Sequence, residues 1–187
     1  MFRKLLFACL LALTFASSTF AASVLPLMLD EIIDTAAVAF QGICTANRTE
    51  RDSVSGFAVT YTTFDVNDVI KGSVGKTHVI KQIGGIMPAG ELSFVVHGVP
   101  KFKVGEEYVV FLAGVSSAGF SSPIGLSQGK FTVLKSDAGT KVTNGRDFSE
   151  MTKRVVSQGS GTALAPPNQL ALDEFKRLAR TRVSNSQ

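Results

Sequence analysis

The sequence predicts an all-β domain, a barrel or a sandwich, with a short helix before it and helical segments after it. Three observations predict this. Runs rich in β-branched and aromatic residues recur at short intervals between Ala36 and Thr143. Glycine-containing turns separate them. Helical spacing of apolar residues is confined to the two ends.

Met1-Phe2-Arg3-Lys4, an apolar run from Leu5 to Phe15 and the small residues up to Ala22 have the three parts of a secretory signal peptide. Thr19 and Ala21 fit its −3 and −1 positions, so residues 1–21 are the expected signal. The apolar run is too short for a bilayer span, which needs roughly 20 residues. The expected product is exported, periplasmic or secreted, with no transmembrane segment. Loss of Arg3 and Lys4 lowers the net charge from +4 to +2 and leaves 166 residues, enough for one domain with a real core. So mild a balance argues against a nucleic-acid partner. Cys9 leaves with the signal and Cys44 then stands alone, expected as a buried thiol.

Leu25 to Asp34 reads as a short helix, with Leu25, Leu29, Ile32 and Ile33 on one face. Ala36 to Ala46 reads as the first strand, where Val38, Phe40, Gly42 and Cys44 share a face and Gly42 marks a bend or a close backbone approach. Asn47 to Ser55 is a charged loop. The central strand runs from Phe57 to about Ile70, and Val69-Ile70 breaks its alternation, which points to a bulge near Asn67-Asp68. A turn at Lys71–Gly75 leads to a third strand, Thr77 to Ile83. The glycine-rich loop 84–90 precedes a fourth, Glu91 to His97. Tyr108 to Ala113 has the unbroken apolar character of a strand covered on both faces. A flexible loop, Gly114 to Ser122, leads on to a final hairpin of Gly129–Leu134 and Thr140–Thr143.

The barrel is thus expected over residues 22–145, and a helical extension over 146–187. Phe148 to Val156 reads as one helix, and Gln158 to Pro167 as a linker. Asn168 is the expected cap of a closing helix with Ala171, Leu172, Phe175, Leu178 and Ala179 inward. Its basic residues Lys176, Arg177, Arg180 and Arg182 read as a solvated face or as a docking element.

No coherent catalytic or cofactor set emerges. Gly125-Leu126-Ser127-Gln128-Gly129 matches the nucleophile elbow of serine hydrolases, but a strand pattern follows it and both histidines precede it. Gly72 to Thr77 lacks the leading glycine and the helix of a phosphate loop. His78, His97, Glu91, Glu106 and Glu107 show no metal-ligand spacing. The expectation is therefore no enzyme, no metal and no cofactor, and a binding module instead. Ile86, Met87 and Phe120, apolar residues in loops, are the expected partner contacts. The alternatives are a structural or assembly role in the cell envelope, and a small hydrolase using Ser127.

The helix followed by AAVAFQGIC, the central YTTFDVNDVIKG, the run VPKFKVGEEYVVFL and SPIGLSQGKFTV together resemble bacterial exported proteins with a tissue-inhibitor-of-metalloproteinases-like barrel, the netrin-module OB-fold. The resemblance covers Leu25 to Val133. It implies a closed five- or six-stranded Greek-key barrel and, from the animal relatives, inhibition of a metalloprotease. Those relatives chelate the protease zinc through an N-terminal cysteine held by disulfides. Here the new terminus would be Ala22 and Cys44 lies within a strand, so that mechanism does not carry over.

Overall fold

The computed structural model describes residues 25–87, 93–156 and 167–186. The expected signal peptide and most of the linker lie outside these residues, as do 88–92 of the glycine-rich stretch and its expected strand. A helix α1 (Leu29–Thr35) precedes strands β1 (Val38–Arg51), β2 (Ala58–Lys71), β3 (Thr77–Ile83), β4 (Glu107–Leu112), β5 (Lys130–Ser136) and β6 (Gly139–Thr143). Two single-turn helices, α2 (Phe148–Met151) and α3 (Lys153–Val156), then lead to the two-residue β7 (Leu170–Ala171) and α4 (Leu172–Asn185).

The strands form one antiparallel sheet in the order β3-β2-β1-β4-β5-β6-β7. The β-rich class is as expected. No ladder among the described residues joins β3 to the far side, so the closed barrel of the sequence reading is not formed by strand pairing. The loop after β4 reaches back instead, and Ser121 N–H donates to Lys81 O at 3.0 Å.

β4 carries the packing of both faces, and all six of its residues are buried. Tyr108, Val110 and Leu112 join Phe40, Cys44, Phe64, Ile80 and Phe102 on one face. Val109 and Phe111 join Phe131, Val142, Phe148 and Phe175 on the other, beneath α1 and α4. Period-two alternation in a continuous apolar run supplies both cores. The first core is largely aromatic, with Phe64 edge-on to Phe40 at 5.4 Å and to Phe102 at 5.0 Å.

β1 and β2 pair along their whole length with three slips. Cys44 faces Phe64 but Ala46 faces Thr63, which leaves Thr45 extra on β1; Gly42 faces Val66 but Gln41 faces Asp68, which leaves Asn67 extra on β2. The third slip leaves Ile70 extra near the end of β2. The Asn67 bulge is the one expected from the broken alternation. The close approach expected at Gly42 is also present, since a Cβ there would lie 2.7 Å from Asp65 O.

Several boundaries differ from the sequence reading. β1 runs on to Arg51, so most of the expected loop 47–55 is strand, and only Asp52 to Gly56 turns the chain. The expected strand at 91–97 reduces, among its described residues, to a single bridge between Phe94 and Gly85. α1 starts at Leu29 rather than Leu25, because Gln128 holds the preceding segment extended: its amide accepts from Leu27 N–H at 2.8 Å and donates to Leu25 O at 3.0 Å. The expected helix 148–156 is broken at Thr152, whose hydroxyl donates back to Phe148 O at 2.7 Å. Asn168 does not cap α4: residues 170–171 pair with β6, and the cap position falls on Ala171, which is exposed. The other four residues of the expected stripe are buried.

The basic residues of α4 are not a free face. Lys176 Nζ donates to Gln41 Oε1 at 3.1 Å and to Asp68 Oδ2 at 3.0 Å; Arg180 pairs with Asp68, Arg182 with Asp34 and Arg177 with Glu174. Beneath them Glu107 Oε1 accepts from Gln41 at 2.7 Å and from Asn67 at 2.9 Å, while Lys135 Nζ lies 2.7 Å from Oε2 as an ion pair. Burial pushes the Glu107 pKa up; Lys135, Gln41 and Asn67 outweigh it and hold the carboxyl below its ordinary value.

Phe64 is fully buried, whereas Phe120 is half-buried with Lys81 Nζ 4.6 Å above its ring. Phe64→Ala is expected to cost about 3–5 kcal/mol in denaturant melts. Phe120→Ala is expected to cost about 1 kcal/mol, and equal losses would contradict this division of core and surface.

Candidate functional site

Past the Thr45 bulge, β1 changes which side chains it turns to the concave face, because one extra residue reverses the alternation. Phe40 and Cys44 face the aromatic core, and beyond them Asn47 and Thr49 take that side, opposite Thr62 and Thr60 of β2. Gln82 of β3 pairs with Thr60. These five polar residues form one wall of a cavity of about 250 Å³ at the open end of the sheet. The other wall is mostly apolar: Val96, Val99, Pro100 and Phe102 come from the segment before β4, and Ile83 and Ile86 from the end of β3 and beyond.

The hydroxyls and the asparagine of this cavity are engaged with one another. Thr62 Oγ1 donates to Asn47 Oδ1 at 2.7 Å, and Asn47 Nδ2 donates to Phe102 O at 2.8 Å. Thr49 and Thr60 share a bond of 3.1 Å, and Thr60 Oγ1 lies 2.7 Å from Gly84 O. Gly85 permits this closeness, since a Cβ there would fall 2.4 Å from Thr49 Cγ2. Gln82 differs. It is 2% exposed, and its Nε2 has no partner among the described residues.

A buried ion pair stiffens the strand behind Gln82. Lys81 Nζ lies 2.7 Å from Asp52 Oδ1 and donates to Ala118 O at 2.8 Å, under the loop expected to be flexible. That loop is tied further by Ser116 N–H to Phe120 O at 2.9 Å and by Ser121 Oγ to Ala113 O at 3.3 Å.

Of the expected contact residues, Ile86 is 71% exposed at the mouth of the cavity. Met87 is buried, with its N–H on Ser93 Oγ at 3.0 Å, and Phe120 lies under Lys81 away from the cavity lining. Val95, 56% exposed, joins Ile86 at the mouth. The sequence reading missed Asn47 and Thr49 because it placed them in a loop. Thr60 and Thr62 were legible, since they alternate onto the face of Phe64. Nothing in the sequence distinguishes Gln82.

The other motifs gain no site. Ser127 is exposed in a run of turns that opens directly into β5, with positive φ at Gly125 and Leu126, so the strand-to-helix elbow is absent. His78 is half-buried against Phe40 at 5.3 Å, and burial lowers its pKa; His97 is exposed. No group of three or more His, Cys, Asp or Glu among the described residues is placed to hold a metal.

Lys81 first, and then the Ser55 hydroxyl and N–H, hold the Asp52 carboxyl down at about 2, against an ordinary 3.8. A depressed folded-state pKa contributes stability above the unfolded value and loses it as pH falls through the folded one. Stability should therefore decline between about pH 4 and about pH 2, and Asp52→Asn should flatten that decline. Thermal melts across this range check it, and parallel curves for the two proteins would contradict it.

Comparisons with protein-family models, with curated proteins and with solved structures find no match to this chain.

Proposed function

We propose that the protein is an exported, non-enzymatic binding module that engages a protein partner outside the cytoplasm through the cavity end of its sheet. The observation that carries this reading is the pairing of an open cavity with the exposed apolar side chains Ile86 and Val95 at its mouth. Apolar side chains left in water beside a concavity are the usual mark of a contact surface. The N-terminal signal pattern supports export. The resemblance to the inhibitor family makes a secreted protease one candidate partner, met by this face rather than by the N-terminus.

The envelope-assembly alternative relied on α4 as a docking element. Its four basic side chains are already paired with Asp68, Glu174, Asp34 and Gln41, which favours the cavity end.

A photo-crosslinking residue at position 86, installed in the exporting cell, is expected to trap a discrete protein adduct. The same residue in place of Val115, which is also exposed and apolar but lies outside the cavity lining, is expected to trap none. Identical patterns from both positions, or no adduct from either, would overturn the assignment of this face.

A further inference from the structure

The apolar wall of the cavity hangs between two fixed points. At one end Phe94 exchanges backbone bonds of 2.7 and 3.2 Å with Gly85 and stacks on Phe57 at 5.7 Å. At the other, Lys130 Nζ donates to Lys101 O at 2.6 Å and Asn47 Nδ2 donates to Phe102 O at 2.8 Å. The Phe102 ring is edge-on to Phe64 at 5.0 Å and to Tyr108 at 5.1 Å. Between these ends no hydrogen bond joins residues 95–100 to any described residue. Of these six only Pro100 is buried, and Val96 and Val99, which line the cavity, are half-buried. A stretch with so few ties opens locally at low cost, and its fixed ends confine that opening to a swing about Phe94 and Phe102. The facing wall does not share this freedom, since Thr60, Thr62 and Gln82 belong to the β2–β3 ladder.

The middle of the stretch rests on Leu126. A Cβ added at Gly98 would lie 2.7 Å from Leu126 Cδ1, so the leucine tip sits against bare glycine backbone. Among the described residues Leu126 is also the one non-glycine residue at positive φ, +62°. That conformation is costly for a leucine and persists only where the surroundings impose it. Here the turn imposes it: Gly129 N–H donates to Ile124 O at 2.8 Å, and Ile124 N–H donates to Phe111 O at 2.9 Å. The strain is therefore the same with the stretch in or out, and what differs is the contact of Leu126 with Gly98. Resting on the binding-module reading above, we infer that residues 95–100 are a hinged lid over the cavity, that Leu126 is the catch that holds it shut, and that its opening regulates access to the docking face.

The test is methyl relaxation dispersion on labelled full-length protein. Val96, Val99 and Leu126 are expected to share one exchange process that Val59 and Val110, fully buried in strands, lack. Leu126→Ala keeps the turn and removes the catch, and is expected to raise the open population about five-fold. Gly98→Ala, whose Cβ would collide with Leu126, is expected to raise it as well. The adduct yield at position 86 is expected to rise with the open population in both variants. No exchange at Val96 and Val99, or a lower melting temperature for Leu126→Ala with their exchange unchanged, makes the leucine a packing contact only and overturns the inference. Exchange that rises with no change in adduct yield overturns the regulation and leaves the docking face standing. Absence of the adduct from the parent and from both variants overturns the binding-module reading, and the regulation with it.

Discussion

The structure depends on how β1 and β2 pair. These are the two longest strands among the described residues, and their ladder is interrupted by three extra residues, Thr45 on β1 and Asn67 and Ile70 on β2. An unbroken ladder would keep each strand's even-numbered residues on one face throughout. Each bulge reverses that parity on its own strand as far as the next bulge or the strand's end. On β1 the reversal exchanges a packed aromatic face for Asn47 and Thr49. On β2 it turns Asp68 away from the concave core and toward α4.

Both consequences are energetic as well as geometric. At Asp68 the reversal brings a carboxylate beneath Lys176 and Arg180, and Gln41 and Glu107 continue the network into the sheet. The closing helix is thus held by apolar burial of Leu172, Phe175, Leu178 and Ala179 and oriented by charge at its sheet-facing edge. At Thr45 the reversal ends the aromatic core and starts a polar-walled hollow. The same strand pair therefore builds a rigid, helix-backed half and an open half. Lys81 closes the open half from behind by joining Asp52, Ala118 and the Phe120 ring. Without that clasp β3 would be an ordinary edge strand.

Much of this was legible in the residues. Cys44 and Phe64 follow from alternation around an apolar strand, and β4 from its unbroken run Tyr108 to Leu112. The Asn67 bulge was legible because Val69-Ile70 spoils the period, and Gly42 because a glycine inside a strand marks a close approach. The Thr45 bulge was not, since Thr-Ala-Asn-Arg-Thr is equally at home in a turn, and propensity does not show a strand that tertiary pairing extends. The segment before β4 was hidden for the converse reason: Phe94 to Val99 has strand composition, yet it serves as a cavity wall with one bridge to Gly85. The ion pairs that tie α4 to the rest of the fold were unreadable as well, because their partners Asp34 and Asp68 lie more than a hundred positions away.

The register around Thr45 is the most direct test. Cross-strand nuclear Overhauser contacts in the folded protein should place Cys44 opposite Phe64 and, past the bulge, Asn47 opposite Thr62 and Thr49 opposite Thr60. Contacts of Asn47 with Tyr61, the pairing of an unbroken ladder, would contradict the bulge, the cavity wall it builds and the account that rests on both.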